Sequence, residues 1–254
     1  MTVDSPARLS GSRRAIGLSR WLPAAGVVIA VVSLVPPLST LARRYIVVES
    51  AQFAILAMVC PALIVLGAPW PMLRLSGWAD RLAASRHRRP SFRHAVVFLA
   101  AFVGVSVAWR LPPALDALAR FPGLAVAEAM TLLAAGCGLW LELVRSPPLA
   151  PRLTLPQRAA LAALAMWSVW IVGYALGFSS GPETTAYAAG GVGAQEVAVG
   201  LVWGVAGVCF LPVIFAVVLA WLGGDDVDDE LQHELSAART GVRGWDRPQR
   251  RRGG

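Results

Sequence analysis

Lysine is absent from this chain of 254 residues, and charged residues of all kinds make up only 15% of it. Its 23 basic residues are therefore all arginines, against 15 acidic residues, and the formal net charge is +8. Hydrophobic residues account for 56% of the chain. A composition so poor in charge and so rich in apolar side chains is typical of a membrane protein.

Histidine is also scarce, and its positions do not favour catalysis. The three histidines lie away from the centres of the apolar stretches, so no Ser/His/Asp or Cys/His set can be assembled around them. No glycine-rich loop stands between a strand and a helix, as a phosphate-binding loop requires. We therefore predict a protein without enzymatic activity. The histidines are His87, His94 and His233.

Six long apolar stretches dominate the chain. Each is close to the ~20 residues that an α-helix needs to cross about 30 Å of hydrocarbon. None alternates apolar and polar residues as a membrane β-strand does, so the backbone must be satisfied within helices. We therefore expect an all-α, polytopic membrane bundle of about six transmembrane helices. The predicted spans are Trp21–Thr40, Tyr45–Trp70, Phe92–Trp109, Gly123–Val144, Ala159–Phe178 and Val192–Leu222.

The arginines predict the orientation of these spans. Nineteen lie before the first span, in the second and fourth connections and in the tail, whereas the other side carries only four. Because cytoplasmic loops are rich in basic residues, both termini are expected in the cytoplasm of a bacterial cell (inner) membrane. The dispersed arginines suit contact with membrane lipids and not a nucleic-acid surface. The four are Arg43, Arg44, Arg110 and Arg120.

Three regions follow from this pattern. Residues 1–20 are a basic, cytoplasmic N-terminal segment that we expect to be disordered. Residues 21–222 form the six-helix transmembrane domain. Residues 223–254 are a charged cytoplasmic tail, with a short helix expected over ~225–240 because acids precede arginines there.

The short connections between the spans also predict local structure. A short interfacial helix is expected over Trp78–Ser85, with Trp70 and Trp78 at the depth of the lipid headgroups. The prolines of Arg110–Pro122 bound a turn of helix on the outer surface. Residues 179–194 are rich in glycine, serine and alanine and predict a flexible outer loop.

Polar side chains recur near the predicted outer ends of the second, fourth and sixth spans. An ionisable residue within a span tends to face the bundle interior or a wet cavity. We therefore predict a shared outer polar site; the alternative is that each side chain lies in headgroups or outer water. The candidate residues are Glu49, Gln52, Arg110, Glu128, Gln195 and Glu196.

The three cysteines lie deeper in the same three spans. At about 1.5 Å per residue, the three lie at similar depths, roughly 21–26 Å inward from the outer ends of their spans. Thiolates suit Cu(I), so Cys60, Cys137 and Cys209 are an alternative soft metal site. The competing interpretation is that buried free cysteines act as small hydrophobes, and we expect no bound metal from these residues.

Three segments match a known family in order and spacing. The first is Glu49–Pro69, E-S-A-Q-F-A-I-L-A-M-V-C-P-A-L-I-V-L-G-A-P; the second is Trp109–Arg120, followed by Glu128 and Trp140. The third is A-Q-E-V-A-V-G-L-V-W at Ala194–Trp203. Together, over roughly residues 45–220, they resemble the CtaG family of cytochrome c oxidase assembly proteins.

This chain departs from that family where the family has outer-face histidines. Glu49, Phe53, Arg110 and Ala129 stand at those positions, and Ala194 replaces an aspartate. The resemblance implies a role in bringing copper to the oxidase, but none of these replacements supplies the neutral lone pair of an imidazole. Copper is thus suggested only by the resemblance. Because its histidine ligands are missing from this chain, no cofactor is expected. The retained positions are Gln52, Pro61, Gly67, Pro69, Trp109, Glu128, Gln195 and Trp203.

The resemblance implies a non-enzymatic chaperone or scaffold, related to assembly or copper delivery, for a respiratory terminal oxidase. Oxidase subunits or other assembly factors are then the expected partners. The residues leave two alternatives open. One is a small-solute or ion transporter whose outward-facing vestibule is lined by Glu49, Glu128, Glu196 and Arg110. The other is a structural subunit of a larger membrane complex.

The predicted topology is testable with reporter fusions. Because the arginines divide nineteen to four, fusions at Ser91 and Ser146 should report a cytoplasmic location. Fusions at Ala117 and Glu183 should report an external one. An external signal from Ser91 would overturn the orientation.

Overall fold

The computed structural model describes residues 7–70, 74–88, 92–177, 187 and 191–223. These residues form helices and no sheet strand, so the all-α class is confirmed. A π-helical turn, Ile55–Val59, joins α3 to α4. The helices are α1 (Ala7–Leu34), α2 (Leu38–Ala42), α3 (Ile46–Ala54), α4 (Cys60–Leu66), α5 (Ser76–Arg88), α6 (Phe92–Arg110), α7 (Pro112–Arg120), α8 (Leu124–Leu143), α9 (Leu155–Gly177) and α10 (Gly191–Leu222).

Five of the predicted spans appear as helices long and apolar enough to cross a membrane. They are the continuous α3–α4 unit, α6, α8, α9 and α10. The first predicted span is shorter than expected, because its apolar helix covers only Trp21–Leu34. Pro36 and Pro37 cannot continue a helix, so the chain turns there and restarts as α2. The protein is a multi-pass membrane protein.

Three predictions concern segments outside the apolar spans: the N-terminal segment, the tail and the loop 179–194. Helix α1 begins at Ala7, so the helix extends into the segment that we expected to be disordered. The tail helix expected over residues 225–240 lies outside the described residues. Most of the expected loop 179–194 lies outside them too, but residues 191–194 already belong to α10.

One end of the bundle carries α2, α7, Tyr187 and the first residues of α3, α8 and α10; we call it the Arg110 end. Helix α7 lies where a turn of helix was predicted, and its Leu115 and Leu118 side chains are buried. The Tyr187 hydroxyl donates to the Ala42 carbonyl oxygen at 3.0 Å, which ties the connection between α9 and α10 to the end of α2.

The opposite end, the Glu142 end, carries α5 and the segment 144–154. Helix α5 is longer than the predicted Trp78–Ser85. Ala79 is fully buried in a cluster with Trp70 and Leu149, whereas Trp78 is 52% exposed. The Trp70 indole donates to the Ser146 carbonyl and hydroxyl oxygens at 3.3 and 3.2 Å. An amphipathic helix with an outward Trp suits the headgroup layer.

The middle of the bundle is closed by aromatic and small residues. The Trp140 ring stacks on the Phe210 ring with centroids 5.5 Å apart, and Phe102 meets Phe210 edge-on at 6.3 Å. Such contacts join α6, α8 and α10 into one core. Without a hydrophobic driving force inside lipid, this close packing supplies much of the association energy.

A close helix contact joins α8 to the π-helical turn. Pro61 has no N–H, so the Ala57 carbonyl loses its usual helical donor, and the helix widens there. A Cβ atom added at Gly136 would lie 2.5 Å from Pro61 Cγ and 2.6 Å from the Ala57 oxygen. Only a glycine lets α8 approach this turn so closely.

The contact predicts the effect of one added methyl group. Gly136→Ala should lower the free energy of unfolding by about 1–3 kcal/mol, because neither the proline ring nor the Ala57 backbone can move aside cheaply. Gly104 is the control, since a Cβ there meets nothing within 4 Å. Gly104→Ala should leave stability unchanged or raise it by about 0.5–1 kcal/mol. Denaturant titration in mixed micelles measures both, and equal losses would contradict the close approach.

Candidate functional site

The Arg110 end contains a buried ion pair. Arg110 is the last residue of α6, and its Nη1 lies 2.5 Å from Oε2 of Glu49, in the first turn of α3. Its Nη2 donates to the Ser50 hydroxyl at 2.9 Å, and that hydroxyl donates to Glu49 Oε2 at 3.3 Å. The guanidinium carbon lies 5.1 Å from the centroid of the Phe53 ring. Both charges are thus held by contacts with each other and with α3.

A second carboxyl group lies beside this pair. Glu128, in the second turn of α8, is only 4% exposed; Glu49 repels it and Arg110 attracts it. Gln52, one turn along α3 from Glu49, is also buried. Two carboxyl groups therefore lie near one guanidinium, and Glu49 is the one that pairs with it. Among the described residues, neither Glu49 Oε1 nor Glu128 Oε1 has a hydrogen-bond partner.

Tyr187 completes this cluster. It is buried, and it interacts electrostatically with Glu49, Glu128 and Arg110. Burial raises the pKa of Tyr187, and the two nearby carboxyl groups raise it further, so the hydroxyl keeps its proton at neutral pH. Sequence reasoning missed this residue because it lies in a segment read as a flexible loop. The one tyrosine in that apolar, glycine-rich stretch was the available signal.

The candidate residues therefore divide into three sets. Glu49, Gln52 and Glu128 are buried at the Arg110 end and Arg110 is partly buried, and the ion pair and Glu128 form a cluster with Tyr187. Gln195 is half-buried and lines a neighbouring cavity, described next. Glu196, the next residue of α10, is exposed.

The α6–α9–α10 cavity has a volume of about 50 Å³ and lies between those helices, with α3 and α7 completing its walls. Its polar lining residues are Ser106, Arg110, Ser168 and Gln195, and the rest are apolar. None of the carboxyl groups proposed for an acidic vestibule lines it.

The three cysteines do not meet as a ligand set. Cys60 is fully buried and interacts with Cys137, and both belong with Cys209 to the main apolar core. Across the described part of the chain, no three His, Cys, Asp or Glu side chains are placed to hold one metal ion. The geometry favours the interpretation of these thiols as small hydrophobes.

A second charged cluster at the Glu142 end was not anticipated. Glu142 is fully buried in the last turn of α8, and its Oε1 lies 3.8 Å from Arg152 Nε. Arg158 donates from Nε and Nη2 to the Leu143 carbonyl at 2.8 and 2.6 Å. These arginines were read only as orientation signals, yet they also cap α8 and fasten the segment 144–154. The sequence did contain a signal for this cluster, because Glu142 is an acidic residue at the end of an apolar stretch.

The fold and these clusters describe a multi-pass membrane bundle with buried ion pairs at both ends. Comparison with known proteins identifies it further. Residues 8–223 match the family model of the cytochrome c oxidase caa3 assembly factors, so the chain belongs to that family. The resemblance seen in the sequence is confirmed. No curated protein and no solved structure matches the chain.

The residues at the Arg110 end do not fit a copper ion. Three of the positions where the family resemblance places histidines are in contact, as Glu49, Phe53 and Arg110. The fourth, Ala129, is buried next to Glu128. Copper prefers imidazole or sulfur donors, and this cluster supplies a phenyl ring, a methyl group and an engaged carboxylate. A guanidinium already holds the position that a metal cation would need.

The ion pair predicts a specific pattern of stability losses. Arg110→Gln should lower the free energy of unfolding by about 3–5 kcal/mol, because it leaves Glu49 buried without its counter-charge. The double change Glu49→Gln with Arg110→Gln should cost less than that single change, since no buried charge of the pair remains. Arg120→Gln is the control: this arginine is exposed at the same end, and its loss should cost under ~0.5 kcal/mol. Additive losses in the double variant would disprove the coupling.

Proposed function

We propose that this protein is a non-enzymatic scaffold for the assembly of a respiratory terminal oxidase, and that it works without delivering copper through its Arg110 end. Membership of the caa3 assembly-factor family supports the oxidase as client. In this proposal, oxidase subunits or other assembly factors contact the bundle within the membrane.

The observation that carries the proposal is the contact of Arg110 with Glu49 and Phe53. It occupies the place where the family resemblance would put metal donors. A metal carrier needs ligands that can release and rebind its cargo, whereas here the Glu49 carboxylate is already held by charge-assisted contacts with Arg110. Such a set suits a rigid surface that positions a partner.

The lipid-facing surface supports a role in docking within the membrane. Large apolar side chains are exposed along three helices: Val97 on α6, Ile171 on α9 and Val208 on α10 are 63%, 63% and 77% exposed. Lipid tails cover these side chains in the free protein. A transmembrane helix of a client can replace those tails at little cost, because lipid is as apolar as leucine.

The proposal includes an orientation and a division of the chain. The Arg110 end faces the outer side of the bacterial cell membrane, and both termini are cytoplasmic, as the arginine distribution favours. Residues 1–20 and 223–254 are then the cytoplasmic segment and tail of a transmembrane domain over residues 21–222. The reporter fusions described above test this part.

Oxidase activity in cells tests the function. We expect a deletion strain to lose terminal-oxidase activity in its membranes. Glu128→Gln should reduce that activity several-fold while the protein's abundance stays near normal, because the change removes the ionisable carboxyl group from the cluster and keeps the shape of the side chain. Glu196→Gln is the matched control, an exposed carboxyl at the same end, and should keep wild-type activity.

The other functions give different results in the same strains. A structural subunit should tolerate Glu128→Gln without loss of oxidase activity. A transporter should show altered solute or proton flux at unchanged oxidase content. If the deletion itself leaves oxidase activity and oxidase copper content intact, the proposed function is wrong. If the deletion abolishes activity only at low external copper, the copper-independent part of the proposal is wrong.

A further inference from the structure

The α6–α9–α10 cavity has a polar mouth and an apolar interior. Ser106 lies four residues before the end of α6 and Gln195 four residues after the start of α10, so both are about 6 Å below the Arg110 end of their helices. Arg110 lies at that end itself. The cavity continues to Val202, which is seven residues, or about 10 Å, further along α10.

The described residues that line the inner part of the cavity offer no free polar group. Ser168 is its one polar lining residue away from the mouth, and that hydroxyl donates to the Ala165 carbonyl at 2.7 Å. Around it lie Val169, Val199 and Val202. Cavities lined in this way stay dry and take apolar ligands.

The mouth, in contrast, presents hydrogen-bond donors. The Ser106 hydroxyl is buried and has no hydrogen-bond partner among the described residues. A buried hydroxyl without a partner costs about 1–3 kcal/mol, so a ligand atom that bonds to it is favoured. Arg110 uses two of its N–H groups on Glu49 and Ser50, and a guanidinium has five.

The charged groups near the mouth favour a neutral hydrogen-bond acceptor on the ligand over a negatively charged one. Glu49 lies against Arg110, and Glu128 interacts with both. A ligand that carries a full negative charge is therefore repelled by the Glu49 carboxylate, and the arginine that could offset this repulsion is already paired. A neutral acceptor, such as an ester carbonyl, accepts from Ser106 or Arg110 without that repulsion.

We propose that the α6–α9–α10 cavity binds a single hydrocarbon chain of a membrane lipid, with the ester carbonyl of that chain at Ser106 and Arg110. A volume of about 50 Å³ is far below the roughly 300–1,000 Å³ of pockets for drug-sized molecules, so the cavity takes only the few methylene groups next to the ester and excludes a bulky solute. The site is independent of the oxidase role and adds a ligand class that the family membership does not supply.

Photo-crosslinking of the purified full-length protein in detergent tests the site. The probe is a phosphatidylcholine whose acyl chain carries a diazirine, and labelled peptides are located by mass spectrometry. We expect label on the cavity wall at Val169, Val199 or Val202. Label confined to the lipid-facing residues Val97 and Val208 would overturn the proposal.

Neighbouring residues on α9 supply a matched pair of variants. Val172 lines the cavity, whereas Ile171 is 63% exposed on the lipid side. Val172→Phe should fill the cavity and abolish wall labelling, and Ile171→Phe should leave it unchanged. Equal losses in both variants, at equal thermal stability, would mean that the label reports the outer surface.

Two further arms test the polar mouth. Ser106→Ala should reduce wall labelling several-fold without lowering thermal stability, because the hydroxyl has no partner to lose among the described residues. An excess of a fatty-acid methyl ester should displace the phospholipid probe, and the free fatty acid at neutral pH should displace it far less well. If the free acid competes as well as the ester, the proposed choice of a neutral acceptor is wrong.

Discussion

The ion pair between Glu49 and Arg110 is the constraint on which the Arg110 end depends. Neither charge can be buried alone, since an unpaired ion inside a membrane protein costs several kcal/mol. Arg110 ends α6 and Glu49 lies in the first turn of α3, so the pair sets where those two helices meet. Ser50 and Phe53 then hold the guanidinium from the same side of α3, one by a hydrogen bond and the other by its ring face.

A packing contact far from the charges places Glu128 beside them. Gly136 touches the Ala57 carbonyl and Pro61, which fixes the register of α8 against the α3–α4 unit. Glu49 precedes Ala57 by eight residues, and Glu128 precedes Gly136 by eight. Because both helices start at the Arg110 end, both carboxyl groups rise about 12 Å from the same contact and arrive at one depth. The Gly136 contact thus places Glu128 at the same depth as the ion pair.

Much of the fold was predictable because long apolar stretches mark the membrane spans. In addition, Glu49 and Glu128 lie near the starts of α3 and α8. Helix rotation was not predictable, since no residue pattern in these uniformly apolar helices shows which face is buried. Hence Glu49 and Glu128 are buried while Glu196, equally close to its helix start, is exposed. Contacts between residues distant in sequence could not be predicted either. The Tyr187 hydroxyl bonds to the end of α2 across 145 residues, and Glu142 pairs with Arg152 only because the segment 144–154 folds back. The early end of α1 followed from Pro36 and Pro37, which we read as part of a span.

The ion pair and a metal site are mutually exclusive at these positions. With a neutral histidine in place of Glu49, Arg110 would lose its salt-bridge partner; with a histidine in place of Arg110, Glu49 would be a buried anion without one. Each replacement is therefore tolerable only with the other, and a metal ion beside the guanidinium would meet like charge within a few ångströms. At this end of the bundle, the pair stands where donors for a metal ion would have to be. What the protein offers a client is then shape and charge at the Arg110 end, together with the apolar faces of α6, α9 and α10, and those are the surfaces on which an assembly role without copper has to rest.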